Sequence, residues 1–206
     1  MAVRDAVLAI LLLGPAYGFQ VHGALAERTG GRRRINVGQT YGTLDRLAKQ
    51  QLVEPAGATD DGLPLHRLTR AGRAAALAWL GGADATGADP WDETVDRVLV
   101  ARSIDGHGVD ADAIVAVERE RWARRRADAA ERAEPTDAAE RAEPEDPAAA
   151  LARLAAAAEI ERAGAALSWL AHVAAHPSAP VPVAADRPRR GRRPVARDED
   201  QPSASA

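Results

Sequence analysis

Three consecutive arginines, Arg32, Arg33 and Arg34, lead into INVGQTYGTLDRLAKQQL, whose polar residues recur at helical spacing. Guanidinium groups match phosphate oxygens, while amide and hydroxyl side chains hydrogen-bond to base edges. The segment supplies both kinds, in Asn36, Gln39, Thr40, Tyr41, Thr43, Arg46 and Lys49. Gln39 has the shape for bidentate pairing with adenine, a contact worth about 1–3 kcal/mol of discrimination. Tyr41 is amphipathic, with a ring suited to a core seam and a hydroxyl suited to a phosphate. Asp45 would repel phosphate and is better placed to pair with Lys49 at i+4. Blander readings stand beside these. The arginines also fit a solvated turn after Gly30-Gly31, and Gln39 and Thr43 fit the exposed face of any helix.

A helix is needed to present these groups. Leu44, Leu47 and Leu52, with Val37 and Tyr41 one turn earlier, predict an inward face over residues 37–51. Gln39, Thr43, Arg46 and Lys49 then face out. Residues 4–13 read as a first helix stopped by Gly14-Pro15. Residues 17–29 read as a second, with Phe19, Val21, His22 and Leu25 on one face and Gly30-Gly31 as its stop. Residues 53–68 fit two short strands around a turn-prone 57–62, and Thr69 caps a fourth helix over 70–80. Three helices, a hairpin and a further helix make a winged helix-turn-helix, the third helix being the one suited to a major groove.

Composition agrees with a mainly helical chain: 206 residues, 46% hydrophobic but only 3% aromatic, the apolar content being largely alanine. The net charge of −3 hides an asymmetry. Residues 1–80 hold ten Lys/Arg against six Asp/Glu, and the remainder 17 against 24. A polyanion would meet only the first part. There is no cysteine, hence no disulfide or thiolate chemistry. The apolar run at residues 6–13 is short for a leader peptide, lacks a small-x-small cleavage site, and falls far below the roughly 20 residues that span a bilayer. No membrane role is expected, and the location expected is the cytoplasm, with the nucleoid. The five histidines offer one i,i+4 pair, His172 and His176, without a third ligand nearby. No phosphate loop, nucleophile elbow or dinucleotide fingerprint occurs, so neither an enzyme nor a cofactor is expected.

At this point the residues resemble a known family. AILLLGPAYGFQVHGALAERTGG is similar to the first two helices of PadR-type transcriptional regulators, including the Gly14-Pro15 break and the Gly18-Phe19 pair. INVGQTYGTLDRLAKQQLVE resembles their recognition helix, with Tyr41 before the leucine seam. HRLTRAGRAAALAWL resembles their second wing strand and following helix, through Leu68, Thr69, Gly72 and Arg73. The resemblance spans about residues 4–80 and implies a homodimer joined by C-terminal helices. One departure concerns the wing. Where the family carries basic residues, this chain has Asp60-Asp61-Gly62-Leu63-Pro64, leaving His66 and Arg67 as the nearby donors.

Residues 81–90 read as a glycine-rich hinge, and 91–176 as a helical dimerisation or effector domain. Its first helix, 90–103, places Trp91, Val95, Val98 and Leu99 near one seam. The next continues through Ile114, Val117, Arg121 and Trp122 toward Arg126. Residues 128–135 and 137–144 are both DAAERAEP, so 128–146 reads as an inserted linker. From 147 to 176 an alanine-rich helix carries a stripe of Leu151, Leu154, Ala158, Ala165, Trp169 and Val173, expected as a packing or dimer seam. Residues 177–206, with RPRRGRRP, read as a disordered tail.

Two functions of different class follow. One is a dimeric, ligand-responsive repressor on a palindromic operator in double-stranded DNA, with a small apolar or aromatic effector near Trp91, Trp122 and Trp169. The other is a winged-helix adaptor that docks proteins without specific DNA binding, which the acidic hairpin tip would suit.

Overall fold

A computed structural model describes residues 2–83, 87–134, 147–176 and 179–182. Helix α1 (Ala2–Ile10) continues as a 3-10 turn over Leu11–Leu13 and ends at Gly14, whose φ of 133° only glycine adopts readily. Ala6 to Leu12 are all buried, so the run that could pass for a leader is the central helix of the core. α2 (Gly18–Arg28) buries Val21 and Leu25 but leaves Phe19 exposed. α3 (Val37–Lys49) follows the arginine loop.

The wing has one strand more than the sequence predicts. β1 (Ala16–Tyr17) pairs antiparallel with β3 (Pro64–Leu68), which pairs with β2 (Val53–Ala58), in the order β1-β3-β2. Two residues are too few to show alternation, which is why Tyr17 reads as the start of a helix. α4 (Arg70–Leu80) is capped by Thr69, whose hydroxyl accepts from the Gly72 amide at 3.0 Å. A Cβ on Gly72 would lie 1.8 Å from the Leu52 carbonyl oxygen, so glycine lets α4 cross the chain that leaves α3.

Beyond residue 80 come α5 (Pro90–Ser103), α6 (Ala111–Ala133) and α7 (Pro147–Ala175), as expected in number. Their packing differs from the sequence reading in three ways. α5 is no freely hinged element: Val100, Ala101 and Ile104 sit in the same core as Leu8, Leu25 and Leu44. α6 runs through the first DAAERAEP copy as far as Ala133, and Ala129 is buried, so residues 128–133 are packed helix and not linker. Ala, Glu and Arg are strong helix formers, and only the proline at 135 interrupts them. The rest of the expected linker, residues 135–146, lies outside the described residues.

α6 and α7 pack together through Val115 and Trp122 against Ala163, Ala166 and Leu170. The stripe expected on α7 is therefore split: Leu151 and Leu154 are each 67% exposed, and Ala163, Ala166 and Leu170 make the contact, with Trp169 and Val173 packed beside them. Small residues allow two helices to approach closely, so the alanine face wins over the leucine one. The expected tail also departs from its reading. Val181 donates its amide to the Ser103 carbonyl at 3.1 Å, fixing residues 179–182 against α5. Among the described residues, no helix is long and apolar enough to cross a membrane.

Candidate nucleic-acid interface

The start of α3 is built by local chemistry. The Asn36 side chain accepts from the Gln39 amide at 2.8 Å, and Gln39 Oε1 accepts from the Asn36 amide at 3.1 Å. This capping box satisfies two of the backbone donors a helix start leaves unpaired. It holds Gln39 exposed at the first turn, where a recognition helix meets bases. Its oxygen already accepts one hydrogen bond, so an adenine amino group would share it.

The inward face of α3 is Thr40, Thr43, Leu44 and Leu47. That corrects the sequence reading at two candidate contacts. Thr40 is fully buried, with its hydroxyl 3.2 Å from His22 Nδ1. Thr43 is 5% exposed, donates to the Gln39 carbonyl at 2.8 Å and accepts from Arg46 Nη2 at 3.0 Å. Position 43 precedes Leu44 by one residue, and the i, i+3, i+4, i+7 stripe beginning at Thr40 includes both. Neither threonine presents its hydroxyl to a base edge. Tyr41, expected in the core seam, is 43% exposed. Its ring lies across Gly18, where a Cβ would be 2.4 Å from the ring edge. The glycine that opens α2 thus makes a seat for Tyr41. Arg46 and Lys49 stay exposed, and Lys49 makes the expected pair with Asp45 at 2.8 Å.

The arginine loop is divided. Arg34 is exposed. Arg33 Nε lies 2.6 Å from Asp96 Oδ2 and its Nη2 3.2 Å from Asp92 Oδ2, while Arg32 Nη2 lies 2.7 Å from Asp92 Oδ1. Two of the three cations expected to face phosphate are therefore engaged by α5. Asp96 is fully buried, and burial lifts its carboxyl above the ordinary value while Arg33 opposes the lift. For Arg33 burial acts downward, but the Asp96 contact outweighs it and the guanidinium is held more firmly charged. Sequence reasoning missed both carboxylates. The available signal was their i,i+4 spacing beside the seam marked by Val95 and Val98.

The wing supplies no loose cations from the expected pair. Arg67 Nε lies 2.8 Å from Glu54 Oε1, its partner in register across β2 and β3. His66 is half-buried on β3, and burial pushes its pKa down, so it is neutral at physiological pH. Asp60 and Asp61 stand exposed at the hairpin tip.

Trp91, Trp122 and Trp169 do come together. Trp91 meets Trp122 and Trp169 edge-on at centroid distances of 6.1 and 5.3 Å. They pack against one another, and the hollow beside Trp122 has no room for a water-sized molecule. Beneath them runs a polar network unforeseen from the sequence. Trp122 Nε1 donates to Thr94 at 2.9 Å, Thr94 donates to Glu118 at 2.6 Å, and Arg97 pairs with Glu118 while donating to the Trp79 carbonyl at 2.6 Å. Trp79 Nε1 donates to Glu93 at 2.7 Å. Arg97, Glu93 and Glu118 are at most 1% exposed, so charges and indoles join α4, α5 and α6.

Three helices and a three-stranded wing, with a capped and outward-facing third helix, define the winged-helix class of DNA-binding domain. Residues 7–78 match the transcriptional regulator PadR-like family. Among solved structures, Bacillus subtilis PadR in complex with operator DNA is 19% identical, covering 84% of this chain and 96% of that one at a TM-score of 0.36. The same protein in complex with p-coumaric acid is 17% identical, covering 85% and 98% at 0.35. No curated protein matches the chain.

Proposed function

We propose that this chain acts as a homodimeric, ligand-responsive repressor of PadR type that sets one α3 into each half of a palindromic operator, within the cytoplasm and at the nucleoid. The observation that carries the reading is the outward face of α3, where Gln39, Arg46 and Lys49 stand exposed beyond a capped start in a regulator domain. Gln39 is the residue we assign to base contact, and Arg34, Arg46 and Lys49 to phosphates. Arg32 and Arg33 reach phosphate only by exchanging Asp92 and Asp96 for it. Asn36 acts by capping, and Tyr41 offers its hydroxyl from the Gly18 seat. The dimer seam we assign to the exposed Leu151 and Leu154 of α7. Substituting both by aspartate should shift the sedimenting species from dimer to monomer.

Half-sites one helical turn apart, roughly 34 Å, fit such a dimer. An effector represses or releases only if it favours one separation of the winged domains over another. The adaptor reading draws support from the acidic wing tip and the engaged arginines. A genome-wide pull-down of DNA by the purified protein separates the two. Enrichment of a few promoters sharing a palindrome supports the repressor, and recovery no different from bare resin supports the adaptor.

A further inference from the structure

Two of the three arginines before α3 are held by one edge of α5. Asp89, Asp92 and Asp96 stand at i, i+3 and i+7, so they share a face of that helix. Asp89 caps it: its Oδ1 accepts from the Trp91 amide at 2.9 Å, while its Oδ2 lies 2.7 Å from Arg162 Nη2 of α7. The start of α5 is thereby fixed, and it presents the next two carboxylates to the arginine loop. Arg32 Nη2 lies 2.7 Å from Asp92 Oδ1, with its Nε 3.7 Å from Asp96 Oδ1. Arg33 reaches both carboxylates as well, through Nη2 and Nε.

The two arginines are not equally bound. The Asp96 side chain has no exposure, so withdrawing Arg33 would strand a buried carboxylate. The Asp92 and Arg32 side chains are 42% and 37% exposed, and a pair so open to water is weak. Asp92 also lies in the first turn of α5, where the helix dipole favours a carboxylate even without a partner. Arg32 is thus the cation that can be freed without leaving a bare charge in the interior. A guanidinium pairs with carboxylate and phosphate in the same forked geometry, so Asp92 fills the place a phosphate would take. DNA that drew Arg32 away would leave Asp92 uncompensated beside the phosphate backbone, and the exchange would gain little.

We propose that Asp92 is an autoinhibitory counter-ion that withholds Arg32 from DNA, while Asp96 keeps Arg33 as a structural pin. The proposal rests on the DNA reading above and adds a brake to it: of the three arginines, Arg34 alone contributes while Asp92 is charged.

Salt-dependent binding of the full chain to its promoter fragment tests this. Asp92→Asn should raise affinity and steepen the logarithmic salt slope by about one, the share of one added phosphate contact. Circular dichroism should stay unchanged, because the position is half-exposed. Adding Arg32→Ala to that variant should remove the gain, whereas Arg32→Ala in the unaltered chain should move the slope by less than about half as much. Should Asp92→Asn leave slope and affinity as they were, or should its gain survive Arg32→Ala, the proposal is overturned and the DNA reading stands. A full unit of slope lost on Arg32→Ala alone also overturns it, since Arg32 would then already meet phosphate. Binding by neither chain would sink the DNA reading and the brake together, and binding by Asp92→Asn alone would be the brake at its strongest.

Discussion

In the winged half of the chain the buried side chains are large aliphatics at helical spacing: Leu8, Leu25, Leu44 and Leu47 are each no more than 1% exposed. Around α5, α6 and α7 the buried set is different. Ala156, Ala163, Ala166 and Leu170 form the buried α7 face, and beside them lie Val98, Val115 and Trp122 and the charged Glu93, Arg97 and Glu118. The first region loses apolar surface to water and tolerates repacking by residues of similar volume. The second relies on close helix approach and on charges that must be paired to be buried at all. One core is forgiving of chemistry and strict about volume, the other strict about both.

The largest effect should come from breaking the charged core. Arg97→Ala would remove the buried cation that Glu93 and Glu118 share, leaving Glu118 to Thr94 and Arg121 and Glu93 to Trp79, and should cost about 3–5 kcal/mol in chemical denaturation. A cost below about 1 kcal/mol, the worth of an exposed pair, would contradict the assignment of that network to the core. Next comes the alanine seam. Ala163→Leu should overpack α6 against α7 and lose about 1–3 kcal/mol by the same measurement, and a neutral or stabilised variant would mean that the two helices are not in close contact.

The winged half offers smaller and more local tests. Asn36→Ala removes the cap of α3 and should cost about 1 kcal/mol, with helix content reduced at the α3 start and β-sheet signals unchanged. The smallest effect expected is the pH response of the wing. His66 titrates below its ordinary value because burial disfavours the imidazolium. Its contribution to stability is complete above the unfolded pKa near 6.5 and is lost as pH falls through the lowered folded pKa. Melting temperature should therefore decline from about pH 7 downward, and His66→Gln should flatten that part of the profile.

The same contrast explains what was legible in the sequence. Leu44 and Leu47 mark the inner face of α3 because branched aliphatics rarely recur at that spacing for another reason. Thr40 and Thr43 misled, since a threonine that hydrogen-bonds to His22 or to its own helix is as well buried as a leucine. Gly14-Pro15 and Thr69 placed helix ends correctly because capping and backbone geometry are local. The Asp96–Arg33 and Glu118–Arg97 pairs span 63 and 21 residues, and no local pattern encodes such a partner. β1 was invisible for a related reason, its partner β3 lying some fifty residues away. Of the candidate DNA contacts, Gln39, Arg46, Lys49 and Arg34 stand exposed, whereas Thr40, Thr43 and His66 are turned inward or half-buried. Arg32, Arg33 and Arg67 are held by carboxylates.

The claim at the centre of the account is that α3 and its cations read DNA. A binding titration of the full chain on its own promoter fragment, repeated across salt concentrations, tests it most directly. Affinity should fall steeply and linearly on a logarithmic salt scale, Arg34→Ala should reduce the slope by about one, and Gln39→Ala should erode preference for the promoter over random sequence while leaving the slope unchanged. Binding that is absent, or that does not respond to salt, would contradict it.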